Sequence, residues 1–313
     1  MPEPLKWASK TLLAKIETAY GTDAVPTALA NAVLAMNVEL TPMDGEDVTR
    51  NLERPHMGAD PSIPINLRSV LSFDVELVGS GTLGTAPAWG PLLRMCGVAE
   101  VISAGTKVEY SPVTDGHEAG SIYLAIDTTR YVLLGARGTV VFTLNANGLP
   151  IMRYTLTGLF TMPSQQAKVV PDYTAWQAPQ VVSKANTPVF TIGGTSFVMR
   201  NFSFDLGNDV QPRMLVGQEA ILIVDKQEQL SVQVEAVPLT TYNPYQIAQD
   251  QTLQAINITQ GTVAAKRVKL AIPSAQQGRV TALANEQKIK EWPLTFTPLP
   301  GALGNDQWKL TLE

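Results

Sequence analysis

Residues 71–79 read Leu71-Ser-Phe-Asp-Val-Glu-Leu-Val-Gly79, and this stretch alternates apolar with polar side chains. Its aromatic and aliphatic residues fall on one face of an extended chain, whereas Asp74 and Glu76 fall on the other. This alternation predicts a half-buried β-strand with one wet, acidic side. Such strands are typical of antiparallel sheets that have one face on a core and the other in water.

A second stretch, Leu230–Pro238, repeats the Leu, Ser, Val, Glu and Val of the first at matching positions. An acidic segment precedes each stretch, Glu46–Arg50 in one case and Asn208–Arg213 in the other. Each stretch is followed by a proline-containing helical patch and then by a hairpin, which ends in Tyr154–Thr157 or Trp292–Thr295. The common order predicts a duplicated β-domain. The alternative is that two unrelated β-domains resemble each other by chance, because alternating strands use few residue types.

The domain organisation follows from this order and from a proline-rich segment at 161–188. We expect a mainly β protein with two tandem β-sandwich or β-barrel domains, each with a short flanking helix and a long loop. The first domain, with an N-terminal arm, would span 1–160. Residues 161–188 would form the linker, and 189–313 the second domain.

Local patterns place the remaining elements. Proline and glycine predict long loops at 42–69 and 207–229. Pro91 before an apolar run and Gly97 after it predict a short helix at 91–96, and a second short helix is expected at 244–251. Residues 10–20 fit either a helix or an irregular arm. Strands are predicted at 32–41, 71–78, 121–126, 131–135, 138–144, 151–160, 189–193, 196–206, 219–225, 230–237, 253–259, 263–272, 289–297 and 307–312.

Composition excludes several classes of protein. Apolar residues make up 45% of the 313 residues, which is enough for sizeable cores and too much for a disordered chain. The net charge is −5, so the chain has no surplus of Lys and Arg, which tight nucleic-acid binding requires. The start of the chain lacks the features of a signal peptide, and no apolar run is long enough for a membrane span. These features predict a soluble protein made in a cytoplasm.

Motifs that could carry catalysis are weak. Gly79–Gly84 fits the spacing of a dinucleotide loop, but the preceding strand is acidic and prolines interrupt the following helix, which favours a simple turn. His56 and His117 stand alone in polar loops, and Cys96 is the single cysteine, so we expect no zinc or triad site. Asp44–Asp47 lacks the spacing of a calcium loop. The sequence therefore predicts a protein that is not an enzyme and has no cofactor or metal.

Several segments together resemble the tail tube (major tail) protein family of phages with long, non-contractile tails. They are Leu13–Thr27, Ser111-Pro112, Gly135–Phe142 with the hairpin to Tyr154–Gly158, and Phe204–Val210, and they occur in order over most of the chain. The resemblance implies a structural virion protein that forms stacked rings around a DNA channel, and it brings no catalytic residues.

The resemblance also implies a quaternary structure. Single-domain members close a ring with six chains, so a duplicated chain would close it with three, in a trimer with pseudo-sixfold symmetry; a hexamer is the alternative. Edge strands of neighbouring domains would pair, so that a continuous sheet lines the channel. Implied partners are further copies, a tape measure inside the tube, terminator and distal tail proteins at its ends, and DNA that passes without sequence-specific binding. The location would be the virion tail, assembled in the host cytoplasm.

Candidate site residues form two groups. The first would face the channel, where acidic or neutral side chains would let DNA slide; the alternative is that these side chains lie on an outer face. The second lies on the long loops which, with the arm 1–30, would reach adjacent rings. The lumen candidates are Asp74, Glu76, Gln233 and Glu235, and the inter-ring candidates are Asp44, Glu46, Asp47, Arg50, Arg54, Asp209 and Arg213. Alternative functions are another tail ring component (a terminator or distal tail protein) and a carbohydrate-binding β-sandwich.

Overall fold

The computed structural model describes residues 4–313. Strands make up 51% of the chain and helices 4%, so the expected mainly β fold is confirmed. All but two of the strands belong to one antiparallel sheet of 19 strands. No helix within the described residues is long and apolar enough to cross a membrane.

The strands up to Gln165, just inside the proline-rich segment 161–188, are called the first half of the chain here. Their inward-facing side chains, such as Leu71, Phe73 and Tyr154, are fully buried. In chain order, the elements are β1 (Lys10–Ile16), β2 (Ala32–Val33), β3 (Met36–Thr49), β4 (Ser62–Glu76), α1 (Gly90–Arg94), β5 (Val98–Ser103), β6 (Lys107–Pro112), β7 (Gly120–Ile126), β8 (Thr129–Asn145), β9 (Ile151–Phe160) and β10 (Ser164–Gln165).

The strands after that segment are called the second half. Leu230, Val234 and Trp292 are among its fully buried side chains. Its elements are β11 (Val189–Ile192), β12 (Thr195–Ser196), β13 (Met199–Asp205), β14 (Asn208–Leu215), β15 (Gln218–Lys226), β16 (Gln229–Glu235), α2 (Pro244–Asp250), β17 (Leu253–Gln260), β18 (Val268–Gln277), β19 (Ala284–Glu286), β20 (Ile289–Pro298) and β21 (Lys309–Leu312).

Both short helices form where the sequence predicts them. Pro91 lies in the first turn of α1, and Gly97 has the positive φ of 71° that ends the helical region. The side chain of Asn243 caps α2 by accepting hydrogen bonds from the backbone N–H groups of Tyr245 and Gln246. Tertiary contacts reach the same helix ends, because the backbone N–H of Gly138 donates to the carbonyl oxygen of Met95 and Nε2 of Gln277 donates to that of Pro244.

The strands of the two halves pair in the same order. In the first half β1 pairs with β7, β7 with β8, β8 with β9, β9 with β4, and β4 with β3. In the second half the corresponding series is β11, β17, β18, β20, β16 and β13. Leu71 lies opposite Leu156, and Leu230 lies opposite Phe296. The sequence comparison matched Tyr154–Thr157 with Trp292–Thr295. In the register of the strands, the true counterpart of Tyr154–Thr157 begins two residues later than Trp292.

The two halves meet in a continuous sheet. The last residues of β8, Val141–Asn145, pair with Asn201–Asp205 of β13. β3, β4, β9, β8, β13, β16 and β20 thus lie side by side, and we call them the continuous sheet. A single buried apolar cluster runs beneath it from Leu12 to Leu312, and β21 pairs with both β18 and β6. The core is therefore shared between the halves.

Two predicted long loops are mostly strand. β3 and β4 pair as far as Thr49 and Ser62, so only 50–61 lies outside strands in the expected 42–69 loop. In the expected 207–229 loop, β14 and β15 form a hairpin. The prolines in these segments predicted loops, but proline can occur in a two-stranded ribbon. Each strand of such a ribbon has a free edge, where a residue without an N–H breaks no hydrogen bond of the sheet.

The N-terminal segment is also a strand. β1 is neither a helix nor a free arm, because Lys10–Ile16 pairs along its whole length with β7. Leu12 packs in the main core, whereas Leu13 packs on the other face against Ala32 and Tyr123. Burial on both faces produces adjacent apolar residues that imitate helical spacing. The first three residues of the predicted arm lie outside the described residues.

The proline-rich segment 161–188 packs along both halves of the chain. Val182 is buried, and it exchanges backbone hydrogen bonds with the hairpin turn at Asn147 and Gly148. The indole N–H of Trp176 donates to the carbonyl oxygen of Ala32 at 2.9 Å. Its last residues contact the second half, where Nε2 of Gln260 donates to the carbonyl oxygen of Gln180 at 2.8 Å, so the segment is fixed by specific contacts to both halves.

Candidate functional site: the polar face of the continuous sheet

The continuous sheet has one apolar and one polar face, because successive side chains of a strand point to opposite sides. On the polar face, one row of directly opposed residues comprises Glu39, Ser72, Thr155 and Thr139. A second row crosses the junction between the halves and comprises Thr143, Ser203, Ser231 and Thr295. Short hydroxyl side chains thus make up much of a surface that extends over both halves.

A small polar cluster surrounds Asp74 in the first half. Asp74 is only 7% exposed, and its Oδ2 accepts a hydrogen bond of 2.7 Å from Nδ2 of Asn37. Nη1 of Arg153 lies 3.6 Å from Oδ1 of the same carboxylate. The backbone of Asn37 has a φ of 51°, which asparagine adopts more readily than most residues. This conformation places the Asn37 amide beside the acid.

The matched position in the second half carries Gln233, which sits in a similar cluster. Nδ2 of Asn201 donates to Oε1 of Gln233 at 3.3 Å, as Asn37 donates to Asp74. Nε2 of Gln233 in turn donates to Oε2 of Glu291 at 2.6 Å. An amide therefore replaces the carboxylate, while the donor from the neighbouring strand is retained.

Glu291 and Arg200 form the strongest ion pair of this face. Glu291 is 1% exposed, and Nε of Arg200 lies 2.9 Å from each carboxylate oxygen. The hydrogen bond from Arg200 is the main reason that the pKa of Glu291 lies below its usual value. The same bond raises the pKa of Arg200. Both groups therefore remain charged at neutral pH, and the pair neutralises itself.

Glu76 and Glu235 complete the set of lumen candidates. Both are half-buried, and they oppose Ile151 and Glu291, respectively. Burial raises the pKa of Glu76 above its usual value. The four candidates Asp74, Glu76, Gln233 and Glu235 all lie on the polar face, and carboxylates on this face outnumber guanidinium groups. Its electrostatic character is therefore mildly acidic.

The charged residues of this face that sequence reasoning missed include Glu39, Arg153, Arg200 and Glu291. Arg153 does alternate with buried neighbours, and this signal could have placed it on the polar face. Arg200 lies in a register irregularity of β13, and Glu291 is as buried as its neighbour Trp292. Strand alternation alone could not identify these two.

The inter-ring candidates lie mainly on two hairpin arms, which we define as residues 41–70 and 208–226. On the first arm, Oδ2 of Asp44 lies 2.7 Å from Nε of Arg68, and Oδ1 of Asp60 lies 3.3 Å from Nη2 of Arg54. Glu46, Asp47 and Arg50 are exposed there. On the second arm, Asp209 accepts a hydrogen bond from Gln211, and Arg213 is exposed.

The two hairpin arms lie next to each other. A cleft of about 490 Å³ separates them, and Glu46 and Arg68 of the first arm line it together with Arg213 of the second. The second arm also rests on the first half. Nδ2 of Asn208 donates to the carbonyl oxygen of Gly138, at 2.9 Å. Both arms thus extend from the same side of the molecule.

The remaining motifs have structural explanations. In Gly79–Gly84, Gly84 has a φ of 65°, and a Cβ there would lie 2.2 Å from the backbone nitrogen of Gly105. Nε2 of His117 lies 3.2 Å from the carbonyl oxygen of Val113. Cys96 is buried, and burial raises the pKa of its thiol. Among the described residues, no three acidic, His or Cys side chains are grouped so as to hold a metal ion.

Comparisons with known proteins agree with this architecture. No curated protein matches the chain. A family model described as phage tail tube protein matches residues 7–297, which is nearly the whole sequence. The order of motifs from Leu13 to Val210 pointed to the same family. The chain therefore belongs to the phage tail tube protein family.

Proposed function

We propose that this protein polymerises as stacked rings into a tail tube that conducts phage DNA to the host. The observation that carries the proposal is the continuous sheet, which presents a hydroxyl-rich, mildly acidic face across both halves. A chain with this face can supply a segment of channel wall. The family supports the general role of a structural tail component.

The chain would contain two tandem tube domains, 1–160 and 189–313, joined by the linker 161–188. The identical order of strand pairing in the two halves supports this division. Because a ring of single-domain subunits closes with six, two domains per chain would close it with three. The ring would then be a trimer with pseudo-sixfold symmetry.

The polar face would line the channel. Lysine and arginine would release counterions from DNA and hold it, whereas carboxylates and hydroxyls do not. The guanidinium group of Arg200 is neutralised by Glu291, and that of Arg153 lies beside Asp74. Phosphate groups would therefore meet no unpaired positive charge from these two residues, which favours transit over binding.

The hairpin arms would contact the neighbouring rings. They carry exposed apolar side chains that are costly to leave in water, including Met57 on the first arm and Val216 on the second. They also carry carboxylates and arginines that could form ion pairs between rings. The remaining partners would be the tape measure protein inside the tube and the terminator and distal tail proteins at its ends. The assembled protein would reside in the virion tail.

Electron microscopy of the purified protein at increasing concentration tests this proposal. We expect long hollow tubes with threefold ring symmetry and the polar face inside. Single closed rings that never stack would favour a terminator or distal tail protein. A monomer at all concentrations would overturn the proposal. Binding to a sugar array would favour the carbohydrate module, although Trp89, Trp292 and Trp308 are buried.

A further inference from the structure

The junction between the two halves is an edge-to-edge strand contact within one chain. Val141–Asn145 of β8 pairs antiparallel with Asn201–Asp205 of β13, and Thr143 lies opposite Ser203. Phe142 lies opposite Phe204, and their rings stack beneath the sheet. Because the two halves have the same order of strand pairing, this contact is a template for the docking of one proposed tube domain on the next.

The register of the repeat identifies the counterpart of the β8 edge. Thr143 opposes Ile151, which opposes Glu76. Ala284 opposes Glu291, which opposes Glu235, and Glu76 and Glu235 occupy matched positions. Ala284 therefore corresponds to Thr143. Its predecessor Leu283 corresponds to Phe142.

The counterpart of the β13 edge is β3. Ser203 opposes Ser231, and Glu39 opposes Ser72, while Ser72 and Ser231 are matched serines. Glu39 therefore corresponds to Ser203. The next residue, Leu40, corresponds to Phe204.

Both counterpart edges are open within residues 4–313. β3 pairs only with β4 there, and β19 pairs only with β20. Leu283 is 60% exposed, whereas its counterpart Phe142 is 1% exposed. Exposure of an apolar side chain at a position that is buried in the other copy indicates a missing partner.

We propose that residues 279–286 of one chain pair antiparallel with the β3 edge of a second copy, with Ala284 opposite Glu39 and Leu283 packed on Leu40. This inference rests on the proposed function and specifies the contact that closes the ring. The charges on the two proposed contact edges are also complementary. In an antiparallel pair, residues before Ala284 face residues after Glu39, so exposed Arg279 comes beside Asp44 and Glu46.

Cysteine cross-linking of assembled protein tests the pairing. Glu39→Cys with Ala284→Cys places two thiols on opposed residues of neighbouring copies, at a separation that suits a disulfide. After oxidation we expect a ladder of two and three covalently joined chains that ends at three and disappears on reduction. The native Cys96 is buried and will not interfere.

Thr143→Cys with Ser203→Cys is the matched control, since it places the same pair at the internal junction. It should oxidise without any increase in mass. Tubes of the first double variant that yield no cross-link, while the control oxidises, overturn the edge pairing and leave the tube function intact. A ladder that ends at six supports the pairing and overturns the three-copy ring. Failure of the unmodified protein to form any assembly overturns the proposed function and the pairing with it.

A second variant avoids dependence on disulfide geometry. Leu283→Asp places a charge on the exposed contact residue, so we expect an unchanged melting temperature and loss of assembly. Leu303→Asp alters a leucine that is 97% exposed and lies outside the proposed contact. It should assemble normally. Normal assembly of Leu283→Asp would contradict the pairing.

Discussion

The rings of Phe142 and Phe204 stack at a centroid distance of 6.0 Å and an interplanar angle of 22°, although the two residues belong to opposite halves of the chain. Their strands are neighbours in the continuous sheet, so the stack lies directly below the junction. Phe204 also meets the edge of Trp308 at 5.8 Å. The stack of Phe142 on Phe204 therefore joins the halves through aromatic packing as well as backbone hydrogen bonds.

Phe204→Ala should destabilise the protein strongly. Phe204 is fully buried, and removing such a side chain costs about 3–5 kcal/mol through lost burial and the cavity left behind. Urea unfolding measures the change in the free energy of unfolding. Leu303→Ala, at an exposed position, should change it by less than about 0.5 kcal/mol. A cost below about 1 kcal/mol for Phe204→Ala would show that the stack does not hold the junction.

Gly207→Ala should destabilise the bend where β13 leaves the continuous sheet and β14 begins. Gly207 has a φ of 59°, and a Cβ there would lie 2.0 Å from the carbonyl oxygen of Gln227. We expect a loss of about 1–3 kcal/mol from the strained backbone. Gly58→Ala is the control, because nothing lies within 4 Å of its Cβ position. Equal melting temperatures for the two variants would contradict this explanation.

Glu291→Gln should remove a contribution to stability that depends on pH. Because the hydrogen bond with Arg200 lowers the folded-state pKa of Glu291, the contribution is present above its unfolded-state pKa. It is lost as the pH falls through the lower folded-state value. The difference in melting temperature between the parent protein and the variant should therefore be largest near pH 7 and shrink below about pH 4. Glu235→Gln, at a half-buried site, is the control, and a pH-independent difference for Glu291→Gln would refute the assignment.

Shortening the first hairpin arm should separate folding from assembly. Residues 50–59 are exposed, so replacing 51–60 by an Asn-Gly turn should leave the melting temperature nearly unchanged. We expect the variant to lose the ability to stack into tubes, as judged by electron microscopy. A matched replacement in the exposed loop 301–303 should retain stacking. Tubes of normal length from the shortened arm would exclude it from the contact between rings.

Positive charge on the polar face should slow the passage of DNA. Ser231 is exposed in the middle of that face, so Ser231→Lys would add one cation per chain along the whole tube. Virions carrying the variant should eject DNA more slowly at low salt, and the difference should shrink as salt increases. Ser231→Gln is the neutral control of similar length. Equal ejection rates at all salt concentrations would contradict a channel position for Ser231.

Local pattern predicts much of the fold, because many elements are set by neighbouring residues. The alternation in Ile151–Phe160 and the proline at the start of α2 place these elements to within a residue or two. The strands of the hairpin arms could not be predicted from local pattern. Their prolines are tolerated only because each ribbon has a free edge, which is a property of the sheet and not of the local sequence.

The candidate site was predictable only in part. Alternation placed Asp74, Glu76, Gln233 and Glu235 on a common polar face, because the period of two is intrinsic to a strand. It could not predict that Arg200 reaches Glu291, since residues far apart in the sequence meet only after β13 and β20 have both joined β16. The partners of a charge depend on register, which tertiary packing decides.

In the proposed ring of three two-domain chains, the difference between Asp74 and Gln233 at matched positions would have an evolutionary consequence. Fusion of two similar units in one polypeptide frees each unit to diverge, because a mutation then alters only alternate positions around the circumference. A homomeric assembly of smaller subunits must repeat every substitution at all positions. The backbone of such a fused assembly can remain close to sixfold while its chemistry becomes threefold. Acidic and neutral sites can then alternate without a second gene.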